Sequence, residues 1–166
     1  MRRLGAPAEH VHCTQINLAN TYGVLGHLEK ALSMEQEVYS GRLKLLGEEH
    51  PHTLTAATNC ASSLADLERF EEAKALLRKT VPVARRVLGE SHELTLRMRR
   101  NYAMALYRDD GATHDDLREA VTTLEDVERV ARRVMGGTHP LTKSNEIHLR
   151  GARAALRARE APPTSC

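Results

Sequence analysis

Apolar residues of this 166-residue chain recur every three or four positions in seven separate stretches, which are bounded by glycine, proline or short polar turns. That period is typical of an α-helix with one buried face, and every periodic stretch has it. The pattern therefore predicts an all-α protein of about seven helices. The predicted helices cover about residues 9–22, 27–46, 51 to the corner at Glu68, 71–88, 91–107, 113–134 and 140–159.

Residues near the helix ends refine these boundaries. Gly23 and Gly26 predict a turn after the first helix, because glycine accepts the left-handed backbone conformation that ends many helices. Ser91 is expected to cap the fifth helix, and Thr113 and Asp116 have the spacing of a capping box. Pro82 falls inside the fourth helix, where the lost backbone hydrogen bond costs about 3 kcal/mol and predicts a kink.

A six-residue segment, LGEEHP at 46–51, occurs three times. It returns 42 residues later as LGESHE at 88–93, and a further 47 residues later as MGGTHP at 135–140. The turn at 109–113 absorbs the five additional residues. Repetition at a fixed period is typical of stacked helix pairs. We expect a flexible start at 1–7, one array at 8–160 with repeats at 8–47, 48–89 and 90–136 and a capping helix at 137–160, and a disordered tail at 161–166.

Alanines recur with the same period. They are Ala19, Ala61 and Ala103 in the first helix of each pair, and Ala31, Ala73 and Ala120 in the second. A small side chain at a crossing lets two helix axes approach to about 8–10 Å. The alanines are therefore expected to mark where the helices pack.

LGEEHP, followed nine residues after its histidine by Asn59-Cys60-Ala61, resembles the 42-residue tetratricopeptide repeat of kinesin light chains. The resemblance covers about residues 12–150. It implies an α-solenoid of antiparallel helix pairs, whose first helices line a concave groove for part of another protein. It also implies a glycine at the turn position that Glu68 occupies here.

Composition excludes several functions. The 24 basic and 22 acidic residues leave a net charge of +2, which argues against a nucleic-acid binder. No stretch approaches 18 continuous apolar residues, so we expect no membrane span. Aromatic residues make up 3% of the chain, which predicts a core of leucine, valine, alanine and methionine. Cys13, Cys60 and Cys166 are far apart and are interpreted as free thiols of a cytoplasmic protein.

The nine histidines raise the question of a metal or catalytic site. Three of them occupy one repeat position before a helix start, which indicates a structural role: His50, His92 and His139. The segment His10–Cys13 combines several ligand types but lacks the full set that structural zinc needs. No phosphate-binding loop or nucleophile motif is present. The sequence predicts no enzyme and no cofactor.

The candidate binding residues come from the first helices. Asn17, Asn59 and Asn101 precede the packing alanine by two residues, so we expect them outside the stacking seam and, by the resemblance, in the groove. A carboxamide offers a donor and an acceptor to a peptide backbone. Since neighbouring first helices are about 10 Å apart, an asparagine carboxamide would meet about every third residue of an extended peptide. The alternative is that each asparagine bonds a loop or a neighbouring helix. The full candidate set is Asn17, Asn20, Asn59, Ser62, Asp66, Arg97, Arg100, Asn101, Met104 and Arg108.

Arg97 and Arg100, on the first helix of the third pair, make one end of the groove basic. Asp66 is expected to offset part of this positive charge. Either this end binds anions or the arginines form a solvated face. We predict a protein-interaction module that binds an extended peptide segment, for which acidic segments are candidates. No nucleic acid or membrane is expected, and the chain is expected to be a monomer or to self-associate weakly. The alternative function is a structural or self-assembling solenoid without a peptide ligand.

Overall fold

Seven α-helices make up the computed structural model, which describes the backbone of residues 5–160 and the side chains from residue 14 onward except that of residue 20. No strand occurs within this range, so the predicted all-α class is confirmed. The helices are α1 Gly5–Val24, α2 Leu28–Leu46, α3 Pro51–Asp66, α4 Phe70–Leu88, α5 Glu93–Arg108, α6 His114–Met135 and α7 Pro140–Glu160.

The helices stack as antiparallel pairs. Each helix packs on the next along the chain. Helix α3 also packs on α5, and α5 on α7, whereas α1 and α3 have no comparable contact within the described residues. Within the described range, the second helices α2, α4 and α6 make no comparable contacts with one another. Because α3, α5 and α7 lie closer together than the second helices do, the first helices form the inner side of a curved stack. We call their solvent-facing surface the inner groove.

Two helix starts and one helix end differ from the sequence prediction. Residues 5–7, expected to precede the first helix, form its first turn, and α1 continues through Gly23 to Val24. Of the two glycines predicted to open the turn, Gly26 has the left-handed conformation, with φ of 79°. The cap of α5 is His92 and not Ser91. The predicted capping box is present before α6, because Thr113 and Asp116 bond reciprocally.

The recurring Gly-x-x-His segment ends one helix and starts the next. Its glycines, Gly47, Gly89 and Gly136, have φ between 84° and 92° and ψ between 162° and 171°, a region open essentially to glycine. Its histidines then cap the following helices: Nδ1 of His50, His92 and His139 accepts the amide N–H two residues later at 3.1–3.2 Å. One otherwise unpaired amide of each helix start is thereby bonded. The structural interpretation of these histidines is confirmed.

The corner between α3 and α4 departs from the repeat. Glu68 occupies the position that Gly26 has one repeat earlier, and it keeps a left-handed conformation with φ of 59°. The left-handed conformation destabilises a residue with a β-carbon by roughly 1–2 kcal/mol. The chain therefore builds the same turn as the first repeat, at an energetic cost.

Helix α4 runs without interruption from Phe70 to Leu88 through Pro82, whose side chain is exposed. The proline leaves the carbonyl of Arg78 without its helical amide partner, since it has no N–H. The kink that we expected at Pro82 stays a prediction.

The core follows the recurring alanines. All six are at most 2% exposed, which confirms their packing role. Four hydrophobic clusters run along the stack, and α5 contributes to every one, with Met104, Leu94, Ala103 and Leu96 among its members. Helix α7 packs into the core through Leu141, Leu149 and Ala152. Its other face carries exposed arginines at 150, 153 and 157. That α7 caps the array stays a prediction.

Candidate functional site

The three asparagines of the repeat are placed at different depths. Asn17 on α1 is exposed, Asn59 on α3 is half-buried, and Asn101 on α5 is only 2% exposed. Of the remaining candidate, Asn20, only the backbone lies within the described residues. Asn17 and Asn59 therefore present their carboxamides to solvent, whereas Asn101 lies within the packed stack.

Asn101 connects two first helices. Its Nδ2 donates to Oγ of Ser62 on α3 at 2.9 Å, and its Oδ1 accepts from Nη2 of Arg100 at 3.1 Å. The Ser62 hydroxyl donates in turn to the carbonyl of Thr58 at 3.1 Å. The expectation that all three asparagines lie outside the stacking seam is therefore wrong for Asn101. The open alternative, a bond to a neighbouring helix, holds at this position.

The fourth residue of this series is His148, which the sequence analysis missed. It lies 47 residues after Asn101, the same offset that separates His92 from His139, so the shifted period was the available signal. Its Nδ1 lies 3.0 Å from Oη of Tyr107. Burial, together with the positive charges of Arg100 and Arg108, lowers the pKa of His148 to about 4. The imidazole is therefore neutral at physiological pH.

A basic cleft lies between α3, α5 and the start of α7. We call it the arginine cleft; it encloses about 500 Å³, and its polar lining is Ser62, Glu93, Arg97, Arg100, His139 and Ser144. Arg97 has a loose ion pair with Glu93 at 3.6 Å. Arg100 has no carboxylate within ion-pair distance among the described residues, and its buried Nε has no partner. Burial and the neighbouring charge of Arg97 lower the pKa of Arg100.

Met104 and Arg108 lie about one and two helical turns beyond Arg100 along α5. The guanidinium of Arg108 lies 5.5 Å from the ring centre of Phe70 and contacts Sδ of Met104 at 4.0 Å. No described carboxylate pairs with it. Met104 is 9% exposed and belongs to the hydrophobic core, so its role is packing. Together with Arg100, Arg108 gives this end of the inner groove a positive charge that nearby carboxylates do not balance.

An acidic cleft lies at the other end of the groove, between α1, α2 and α3. We call it the glutamate cleft; it encloses about 390 Å³, and its lining is Ala19, Gly23, Val24, Ala31, Glu35, Asn59, Ser62, Ser63 and Asp66. Glu35 is 6% exposed, and its Oε2 accepts no hydrogen bond. Burial raises the pKa of Glu35, a hydrogen bond from Ser63 lowers it, and the charge of Asp66 raises it. Ser62 lines both clefts, so they are adjacent across α3.

The described part of the chain gives little support for a metal site, a reactive thiol or a membrane span. No group of three or more histidine, cysteine, aspartate or glutamate side chains there could hold a metal ion. The side chains of His10–Cys13 lie outside the described residues. Cys60 is buried and unpaired, and burial raises the pKa of its thiol to about 12. None of the helices in residues 5–160 is long and apolar enough to cross a membrane.

Comparison with known proteins decides the family. The tetratricopeptide repeat family matches residues 10–85 and 58–115, which together span more than half of the chain. The chain belongs to the tetratricopeptide repeat family. No curated protein matches it. Proteins of this family are generally non-enzymatic scaffolds that bind other proteins, and the fold supports such a role.

Two solved structures show how the array is built. A Podosopora anserina protein described as a kinesin light chain with nearly identical TPR-like repeats is 24% identical. That alignment covers 90% of this chain and 68% of the other, with a TM-score of 0.68, or 0.71 for a variant of the same protein. BtubC (BKLC) from P. vanneervenii is 18% identical over 96% of this chain and 70% of its own, with a TM-score of 0.71. The fold is therefore that of kinesin light chain-like tetratricopeptide arrays.

Proposed function

We propose that this array is an interaction module that holds an extended, acidic peptide segment of a partner protein in its inner groove. The observation that carries the proposal is Arg100, a half-buried guanidinium with no described carboxylate beside it. Burying an arginine next to Arg97 is unfavourable, as the lowered pKa of Arg100 reflects. A carboxylate from a ligand offsets that cost through charge-assisted hydrogen bonds.

The groove also offers groups for the peptide backbone. Asn59 is accessible in the glutamate cleft, and Ser144 lines the arginine cleft. Asn17 is exposed on α1. Each of these side chains can both donate and accept a hydrogen bond, as peptide amides require. Asn101 has a different role here, because it holds α5 against α3 and thereby positions Arg100.

The test is calorimetric titration of the intact chain with synthetic peptides that carry two adjacent aspartates, compared with asparagine versions. We expect binding that requires the aspartates and weakens as salt is raised, since screening reduces attraction between charges. Arg100→Gln should weaken binding about tenfold or more, in line with roughly 1.5–3 kcal/mol for a hydrogen bond to a charged group. Asn59→Ala should weaken it by a smaller factor.

The matched control is Arg133→Gln, which removes an exposed arginine on α6, outside the groove. It should leave affinity unchanged. Sedimentation of the same samples measures self-association, and so distinguishes peptide binding from the self-assembling alternative. If the chain associates with itself, and Arg100→Gln affects neither peptide binding nor assembly, the groove proposal is overturned.

A further inference from the structure

The inner groove has opposite charge at its two ends. The arginine cleft at one end and the glutamate cleft at the other meet at Ser62 on α3. We propose that the glutamate cleft is a second subsite, which takes a lysine or arginine side chain of the same peptide. The groove would then select a basic and an acidic residue in one order along the chain. This inference rests on the proposed function, because both subsites serve one peptide.

Glu35 is the residue that points to a ligand. It is more than nine-tenths buried, and one of its two carboxylate oxygens has no hydrogen-bond partner, although the side chain lines the cleft. Asp66 lies at the same cleft and pairs with no cation among the described residues. A buried polar group without a partner is costly. An ammonium or guanidinium group with several N–H donors satisfies this oxygen and neutralises the local negative charge.

The apolar lining of the cleft suits the stem of a long basic side chain. Ala19, Gly23, Val24 and Ala31 surround the carboxylates, and three of the four are very small. Lysine and arginine bury their methylene chains against apolar surface while the charged end reaches polar groups. The volume of about 390 Å³ leaves room for one such side chain and its hydrating water.

The positions of the clefts set the spacing of the two residues. The glutamate cleft lies between α1 and α3, and the arginine cleft between α3, α5 and α7. Successive helices are about 10 Å apart, and an extended peptide advances about 3.3 Å per residue. One to two helix separations therefore correspond to about three to six residues between the basic and the acidic side chain.

Protonation gives a second readout. Burial and Asp66 raise the pKa of Glu35 in the free chain, and an arriving cation would lower that pKa again. At a pH at which Glu35 of the free chain is partly protonated, binding of the basic side chain should therefore release protons. Calorimetry in buffers of different ionisation enthalpy measures this release, which a purely apolar contact would not cause.

The experiment uses blocked twelve-residue peptides with an aspartate pair and one lysine, separated by two to seven residues in both orders. A matched set carries norleucine in place of lysine. For the intact chain, lysine should improve affinity about tenfold over norleucine in one order only, at a separation of about three to six residues. Glu35→Gln should abolish this gain and the proton release, and Asp66→Asn should reduce the gain. Glu37→Gln, an exposed position on the same helix, should preserve both.

The outcomes separate the two proposals. If the aspartate peptides bind through Arg100 while lysine and norleucine versions are equal, the glutamate subsite is overturned and the proposed function stands. A lysine gain that is the same in both orders, or that survives Glu35→Gln and Asp66→Asn, also overturns the subsite. If instead lysine acts through Glu35 and the Arg100→Gln variant binds normally, the acidic-peptide function fails and the subsite stands. Asp66→Asn and the norleucine peptides keep the test valid should Glu35→Gln fail to fold, because Asp66 is exposed.

Discussion

At the scale of single residues, each repeat boundary depends on a glycine and a histidine that lie three positions apart. At Gly89 the backbone adopts a conformation that a side chain disfavours, so α4 ends there. At His92 the imidazole replaces the hydroxyl or carboxylate that usually caps a helix. The acceptor must be an unprotonated Nδ1, because imidazolium has only donors. The recurrence of this pair therefore has a structural cause and is not a sign of catalysis.

His148 supplies a prediction about pH. Its folded-state pKa of about 4 lies below the ordinary value of 6.5, so between these values the unfolded chain binds a proton that the folded chain does not. Stability should therefore fall as the pH drops from 6.5 towards 4. Since the ring is partly exposed, we expect a loss on the order of 1 kcal/mol. His148→Asn, which restores the residue type of the other repeats, should flatten this dependence.

Urea unfolding at several pH values between 7 and 4.5 measures the effect. The charged groups near the ring are Arg100 and Arg108 on α5, and both oppose protonation. Glu35, whose pKa is raised, makes the free energy of unfolding change with pH in the opposite direction. This contribution is the same in the original chain and in His148→Asn, so it cancels when the two are compared. His52→Asn, at an exposed ring, is the control. A pH dependence that His148→Asn leaves intact would place its origin elsewhere.

At the scale of helices, the number of helices, the all-α class and most helix boundaries were predictable from the sequence, because they depend on local periodicity and on the 42-residue repeat. The turn at Glu68 shows why some local rules fail: tertiary packing of α3 on α4 holds a glutamate in a conformation suited to glycine. The burial of Asn101 was not predictable, because it depends on the stagger of α5 against α3. Glu35 was missed because it lies on a second helix, and the groove was expected from first helices alone.

Helix α4 gives the prediction at this scale. Pro82→Ala should supply a backbone N–H that can donate to the carbonyl of Arg78. The position is exposed, so the substitution requires no repacking. We expect a gain of about 1–2 kcal/mol, smaller than the cost of about 3 for an interior proline because alanine also makes the unfolded chain more flexible. Thermal and urea unfolding measure it, with exposed Lys79→Ala as the control. Lower stability of Pro82→Ala would mean that a bend at this residue contributes to the packing of neighbouring pairs.

At the scale of the whole molecule, stability is distributed unevenly along the stack. Helix α5 belongs to all four hydrophobic clusters and contacts four other helices. Helix α1 packs chiefly on α2, and of its described side chains only Ala19 is buried. In a linear array each unit is stabilised by its neighbours, so units with few buried contacts open first. The glutamate cleft, which α1 helps to form, therefore lies in the less stable part of the array, and the arginine cleft lies beside its centre.

Hydrogen exchange tests this gradient in the intact chain. Amides of α1 should exchange fastest among the helices and those of α5 slowest, because opening α5 requires the whole array to unfold. Leu106→Ala, at a fully buried side chain of α5, should cost about 2–5 kcal/mol and accelerate exchange in every helix. Val38→Ala on α2 should accelerate exchange mainly in α1 and α2, and exposed Ile147→Ala should change neither. Equal protection of α1 and α5 would mean that the array unfolds as a single unit, with both clefts equally stable.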